Sequence, residues 1–158
     1  MAMHPGAHAT THPEKPAYIM APSGDADGET VTYRELDAAS NRFAHALRRF
    51  GLRHRDGIAL CLENHARYYE VVWGAQRAGL YYTAVSTRLT PGELEYIVND
   101  CGAAVFVTSH ALADLAAPRH HIGRLLRIDR RVRARVHRKR RPQSASPCRR
   151  RFGWSPLV

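Results

Sequence analysis

The chain has 158 residues, 44% hydrophobic and 24% charged, with a formal net charge of +10. That length allows one domain with a modest core. The three cysteines, Cys61, Cys101 and Cys148, form no CxxC pair, which argues against a disulfide framework and for reduced thiols. The charge is divided along the chain. Residues 1–117 hold 10 Lys/Arg against 13 Asp/Glu, a net of −3, whereas residues 118–158 hold 14 Lys/Arg against the single Asp129, a net of +13. Basicity therefore does not mark the first segment as a nucleic-acid-binding surface. The opening MAMHPGAHATTHPEKP has no apolar core, so it does not read as a signal peptide. No run approaches the roughly 20 apolar residues of a membrane span. A cytoplasmic protein is expected.

In chain order, residues 1–16 are rich in His, Thr and Pro and read as a flexible leader. Ala17 to Met20 is a short apolar run, and Pro22 to Glu29 is turn chemistry. Thr32 and Glu35 form a capping box. The helix after it should bury Leu36, Ala39, Phe43, Leu47 and Phe50, spaced by three and four, and end at Gly51. Ile58 to Leu62 is a continuous apolar run of strand length. Asn64 is placed to cap a second helix with Tyr68, Val71, Val72 and Ala75 on one face, stopped by Gly79. Tyr81 to Val85 is the next strand. Thr90, Pro91 and Glu93 together open a third helix, with Leu94, Ile97 and Val98 facing inward and Gly102 at its end. Ala103 to Thr108 is a further apolar strand, and Ser109 is placed to cap a short helix to Ala117. Apolar strands alternating with amphipathic helices predict an α/β fold: a parallel sheet with helices layered on both faces.

The pattern fails past Pro118. Ile122, Leu125, Leu126 and Ile128 have the spacing of a helical turn or two, but beyond about residue 130 the hydrophobes are too sparse to form a core against the charge, and disorder is expected. The region holds thirteen arginines. Arg, Ala, Pro and His have G/C-rich codons, so the expectation is a frameshift near residue 118 that leaves a truncated product.

From His12 to Ala117 the chain resembles the N-terminal part of AMP-forming acyl-CoA synthetases, the adenylate-forming ligases, and fatty-acyl-CoA ligases in particular. The segments that carry the resemblance are TYRELD with a following N-R pair, AQRAGLYYTAVSTRLT, and YIVNDCGA. The resemblance implies the partial N-terminal α/β subdomain of such an enzyme over 17–117, followed by the basic tail 118–158. It implies a parent reaction in which a fatty or other carboxylic acid attacks the α-phosphate of ATP, and CoA thiol then displaces AMP from the acyl-adenylate. ATP, magnesium and CoA are the parent family's cofactors. The family's Ser/Thr/Gly-rich phosphate loop has no counterpart here, since the only glycines after Gly102 are Gly123 and Gly153. Its aromatic-Gly-x-Thr-Glu segment, ribose-binding Asp and C-terminal domain with a catalytic Lys are also unmatched. No catalytic residue is carried over, no cofactor is expected for the chain alone, and it is expected to be inactive by itself. The missing remainder of the synthetase, encoded in a following frame, is the implied partner.

Arg88, in STRLT, is the one candidate cofactor-binding residue. In some relatives an arginine there approaches the CoA nucleotide, and its planar donors suit phosphate. The alternative is a solvated loop arginine. Ser86 stands where the family more often has Asn. Trp73, Tyr81 and Tyr82 read as core and interface packing rather than a ligand box. Cys61 and Cys101 read as inert structural thiols. His4, His8 and His12 have the spacing of ligands on one helix face, but Pro5, Gly6 and the Thr pair argue against a helix there and no acid or Cys completes a site. The competing function is a small basic protein whose arginine tail binds nucleic acid or acidic surfaces through phosphates. Aromatic side chains for base stacking are absent from the tail until Phe152 and Trp154.

Overall fold

The computed structural model describes residues 4–21 and 28–112, together with the backbone of 124–128 and 135–138. Helix α1 (Pro5–Thr11) corrects the expected loose leader. Proline is tolerated at the first helical position, where its missing N–H has no intrahelical partner to lose. The His4 side chain accepts from the Gly6 N–H at 3.1 Å and caps the turn. So short a helix is marginal alone, and it is held by packing against α2. Strands β1 (Pro16–Met20) and β2 (Glu29–Thr32) pair antiparallel, with Ile19 opposite Thr30. The apolar run Ala17–Met20 thus becomes half of a two-stranded sheet.

The capping box at Thr32 and Glu35 opens α2 (Tyr33–Arg49) as the sequence predicts. Leu36, Phe43 and Leu47 are buried as expected, with Ser40 and Ala44, whereas Ala39 and Phe50 are only half-buried. Gly51 leaves the helix at φ 80°, a left-handed conformation that L side chains reach only with strain. Helix α3 (Tyr68–Arg77) begins later than expected. Asn64 does not cap it; Arg67 is the cap residue and makes no side-chain capping bond, while His65 Nδ1 accepts from the Arg67 N–H. Helix α4 (Pro91–Asp100) has the Thr90/Glu93 capping box and Pro91 in its first turn, as predicted.

The main sheet contains β3 (Gly57–Cys61), β4 (Tyr81–Ala84), β5 (Ala103–Ser109), β6 (Arg124–Ile128) and β7 (Arg135–Arg138), in the spatial order β4-β3-β5-β6-β7. The first four are parallel and β7 returns antiparallel to β6. Two expectations change here. Ser109 ends β5 and the chain turns over residues 110–112, so no helix starts directly after it; the remainder of the expected helix, 113–117, lies outside the described residues. Leu125, Leu126 and Ile128 lie in β6, not in a helical turn, with Leu126 beside Val107. A short apolar run fits either state by periodicity alone, and the open edge of β5 decides for the strand. Apart from β6 and β7, the disorder expected over 118–158 falls outside the described residues.

The pleat sends alternate residues to opposite faces. Ile58, Leu60, Val105 and Val107 meet Phe43 and Leu47 of α2 and Val71 and Ala75 of α3. Ala59, Cys61 and Phe106 meet Leu94 and Val98 of α4. Full burial of each large aliphatic side chain stabilises the fold by about 1.5–3 kcal/mol. Helices α2 and α3 approach closely at Gly74, where a Cβ would stand 2.8 Å from Phe43 Cδ1.

Candidate functional site

The connections of the sheet create one topological break. From β3 the chain runs through α3 to β4 on one side; from β4 it runs through α4 to β5 on the other side of β3. Right-handed crossovers in opposite directions place their helices on opposite faces, in agreement with the two core clusters. In open α/β sheets the crevice outside the carboxyl ends of the strands flanking such a break is where ligands bind. Here those ends are Cys61 to His65 after β3 and Thr108 to His110 after β5, with Ser86 to Thr90 after the edge strand β4.

Ser109 Oγ donates to Glu63 Oε2 at 2.6 Å and spans the break. Ser109 is buried and Glu63 is half-buried. Thr108 is buried as well, and its hydroxyl has no hydrogen-bond partner among the described residues. Cys61 Sγ donates weakly to the Ser86 carbonyl at 3.8 Å. Burial, and then the nearby Glu63 carboxylate, push the Cys61 thiol above its ordinary range. That thiol is kept protonated, the reverse of what a nucleophile needs. Next to β3, the Arg67 guanidinium grips Glu70 with two contacts, Nε to Oε2 at 2.8 Å and an Nη to Oε1 at 2.5 Å. That fork closes the start of α3.

Arg88 sits at this end of the sheet, two residues before the Thr90 cap of α4. It is exposed, its backbone N–H donates to Ser86 Oγ at 3.2 Å, and it joins no ion pair among the described residues. Ser86 therefore shapes the turn that presents Arg88.

The aromatic residues are arranged differently from the expectation. Tyr81 and Tyr82 are 64% and 38% exposed, because β4 is the edge strand and leaves both side chains partly open to solvent; Val85 enters the core instead. Trp73 packs edge-on to His4, with ring centroids 5.5 Å apart. A separate aromatic contact was hidden from the sequence: Tyr18 stacks obliquely on Tyr69 at 5.2 Å and its hydroxyl donates to the Ala66 carbonyl. The two tyrosines are 51 positions apart, so no local pattern signals the pair.

No group of three His, Cys, Asp or Glu able to hold a metal occurs among the described residues. His4 caps α1, the His8 ring lies against Tyr33 at 4.9 Å, and His12 contacts Thr11. Cys101 is half-buried and donates to the Val98 carbonyl. Cys148, Phe152 and Trp154 lie outside the described residues. No described helix is long and apolar enough to cross a membrane.

The family model described as AMP-binding enzyme matches residues 6–149. The chain is 36% identical over 95 residues to a fatty acid–[acyl-carrier-protein] ligase, ScoC, of Streptomyces coeruleorubidus, covering 60% of this chain and 17% of that protein. It is 35% identical over 100 residues to a long-chain-fatty-acid–CoA ligase of Salmonella typhimurium, covering 63% and 17%. The fold superposes on a Mycobacterium tuberculosis fatty acyl CoA synthetase with a TM-score of 0.64 and 27% identity, over 71% of this chain and 22% of that one. The chain thus spans about 17% of the length of these two curated relatives.

Proposed function

Since the chain belongs to the AMP-binding enzyme family, we propose that it forms the N-terminal part of a ligase that activates a fatty acid. In this reading the carboxylate attacks the α-phosphate of ATP, giving an acyl-adenylate and releasing pyrophosphate, and the thiol of CoA then takes the acyl group and releases AMP. The observation that carries the substrate class is the similarity of residues in this stretch to two ligases whose shared substrate is a fatty acid. The two differ in acceptor, one being named for an acyl-carrier protein, so the acceptor assignment rests on Arg88 as a contact to CoA phosphate.

The role assigned to the described residues is scaffolding. They build the carboxyl edge of a parallel sheet, at which phosphates and acyl groups can be positioned. Cys61 is held protonated, and the Glu63 carboxylate is engaged by Ser109, so neither is free for nucleophilic or general-base work. Pyrophosphate–ATP exchange with a long-chain fatty acid tests this. The chain alone is expected to give no exchange above background, and robust exchange would overturn the scaffolding role.

The parallel pairing of β6 with β5, and the family match running to residue 149, count against the change of reading frame expected near residue 118. Translating the other two frames of the coding DNA is the test. Synthetase-like sequence in another frame downstream of residue 118 would support the frameshift reading, and its absence from both frames ends it.

A further inference from the structure

One polar junction lies outside the carboxyl edge of the sheet. It joins α1, α2 and α3 through His4, Asp37 and Arg77. Arg77 pairs with the Asp37 carboxylate through one Nη, and the same nitrogen lies 3.1 Å from His4 Nδ1. The Gly6 N–H also points at His4 Nδ1, at 3.1 Å. Arginine has donors only. His4 Nδ1 therefore accepts from both neighbours and carries no proton, which fixes the ring as the neutral tautomer with its hydrogen on Nε2. Among the described residues, His4 Nε2 and Arg77 Nε are both buried without a partner, and no acceptor other than the already engaged Asp37 carboxylate stands ready for a second imidazole proton. The Trp73 ring closes one side of the imidazole.

We propose that His4 is a proton-sensitive latch, holding α1 on α2 and α3 while its imidazole is neutral and releasing it on protonation. A proton on Nδ1 removes the cap from Gly6 and turns an acceptor for Arg77 into a second cation against it. Asp37 opposes this by attracting the imidazolium, but its carboxylate is already engaged by Arg77 and by the Asn41 amide at 3.2 Å. Burial first, and Arg77 second, lower the His4 pKa below its ordinary 6.5, while Asp37 acts in the raising direction. A base whose pKa is lower in the docked state favours docking fully above 6.5, and that contribution is lost as pH falls below 6.5. Downstream of α1, the backbone bonds Tyr33 N–H to the Lys15 carbonyl and Arg34 N–H to the Pro13 carbonyl involve no titrating group. The release therefore stops at about His12.

The test uses the full chain with Trp154→Phe, leaving Trp73 as the only indole. Acrylamide quenching of Trp73 and the ring nitrogens of His4 by NMR are followed between about pH 8 and about pH 5, a range that brackets imidazole titration. The expected result is an unprotonated Nδ1 at the upper pH. As pH falls, Trp73 should become more accessible in step with His4 protonation, with the docked-to-free ratio dropping roughly fivefold, the effect of losing one N-cap. His4→Asn retains a capping oxygen that does not titrate and should abolish the pH dependence. Arg77→Met should raise the pH at which His4 titrates. Unchanged pH dependence in His4→Asn, or a proton on Nδ1 at the upper pH, would overturn the latch.

Discussion

Ser109 at the end of β5 donates to Glu63 just past β3, at 2.6 Å, and so ties together the two strand ends that flank the topological break. Removing the donor leaves a partly buried carboxylate without that partner. Ser109→Ala should destabilise the fold by about 1–3 kcal/mol, read as a lower urea midpoint at an unchanged slope. Glu63→Gln keeps an acceptor and should cost less. Equal midpoints for Ser109→Ala and the parent chain would show that the bond contributes nothing net.

Two glycines in helices should respond oppositely to the same substitution. A Cβ at Gly74 would lie 2.8 Å from Phe43 Cδ1 and 3.0 Å from the Ser40 carbonyl, whereas one at Gly92 meets nothing within 4 Å. Gly74→Ala should destabilise by about 1–3 kcal/mol through forced separation of α2 and α3. Gly92→Ala should be neutral or stabilising by up to about 1 kcal/mol. Thermal unfolding of the two variants side by side checks the pair.

The stability profile should fall off at both pH extremes for identifiable reasons. Bonds from the Thr32 and Thr90 backbone N–H groups, then from their hydroxyls, lower the Glu35 and Glu93 pKa values from 4.5. The stabilisation from these carboxylates is complete above 4.5 and lost as pH falls below it. Tyr18 is pushed from 10.0 up to about 12, chiefly by burial and then by Glu29. Its contribution is complete below 10 and lost as pH rises toward 12. Denaturant titrations across pH should show the acid limb flattened by Glu35→Gln with Glu93→Gln, and the alkaline limb flattened by Tyr18→Phe. A limb that ignores its own variant would reject that assignment.

Arg88 is exposed, and its backbone alone takes part in the turn with Ser86. Arg88→Ala should leave the unfolding free energy within about 0.5 kcal/mol of the parent. With the remainder of the synthetase supplied, saturating CoA should raise the melting temperature of the assembly containing the parent chain and not that of the assembly containing the variant. Equal responses to CoA would return Arg88 to the role of a solvated loop residue.

Local chemistry made much of this fold legible in the sequence. The boxes Thr32/Glu35 and Thr90/Glu93 start α2 and α4 where the residues say, because an N-cap involves only neighbours within one turn. The buried faces of α2, α3 and α4 largely follow from spacings of three and four for the same reason, although Ala39, Phe50, Tyr68 and Ile97 are only half-buried and Ser40 and Ala44 join the buried face of α2. Gly51, Gly79 and Gly102 all have positive φ, as helix ends require. Arg88 could be singled out from its resemblance, and Cys61 from its place in an apolar run. What could not be read locally depended on partners far along the chain. Tyr81 and Tyr82 look like core residues until the strand order makes β4 an edge. Ser109 looks like a helix cap until Glu63, 46 residues away, takes its hydroxyl.

The N-terminal segment marks the same division most sharply. By itself, MAMHPGAHATTHP determines a proline-broken, histidine-rich stretch with no reason to be ordered. Tertiary structure supplies the reason: α2 and α3 bring Asp37, Trp73 and Arg77 to His4, and those contacts offset the entropy of ordering a helix too short to persist alone. The sequence by itself determined the alternation of helices and strands, because periodicity and capping are properties of neighbours. The order of the strands, and hence the crevice at Glu63 and Ser109, was decided only when those elements packed, because nothing local specifies on which side of β3 the next strand will lie.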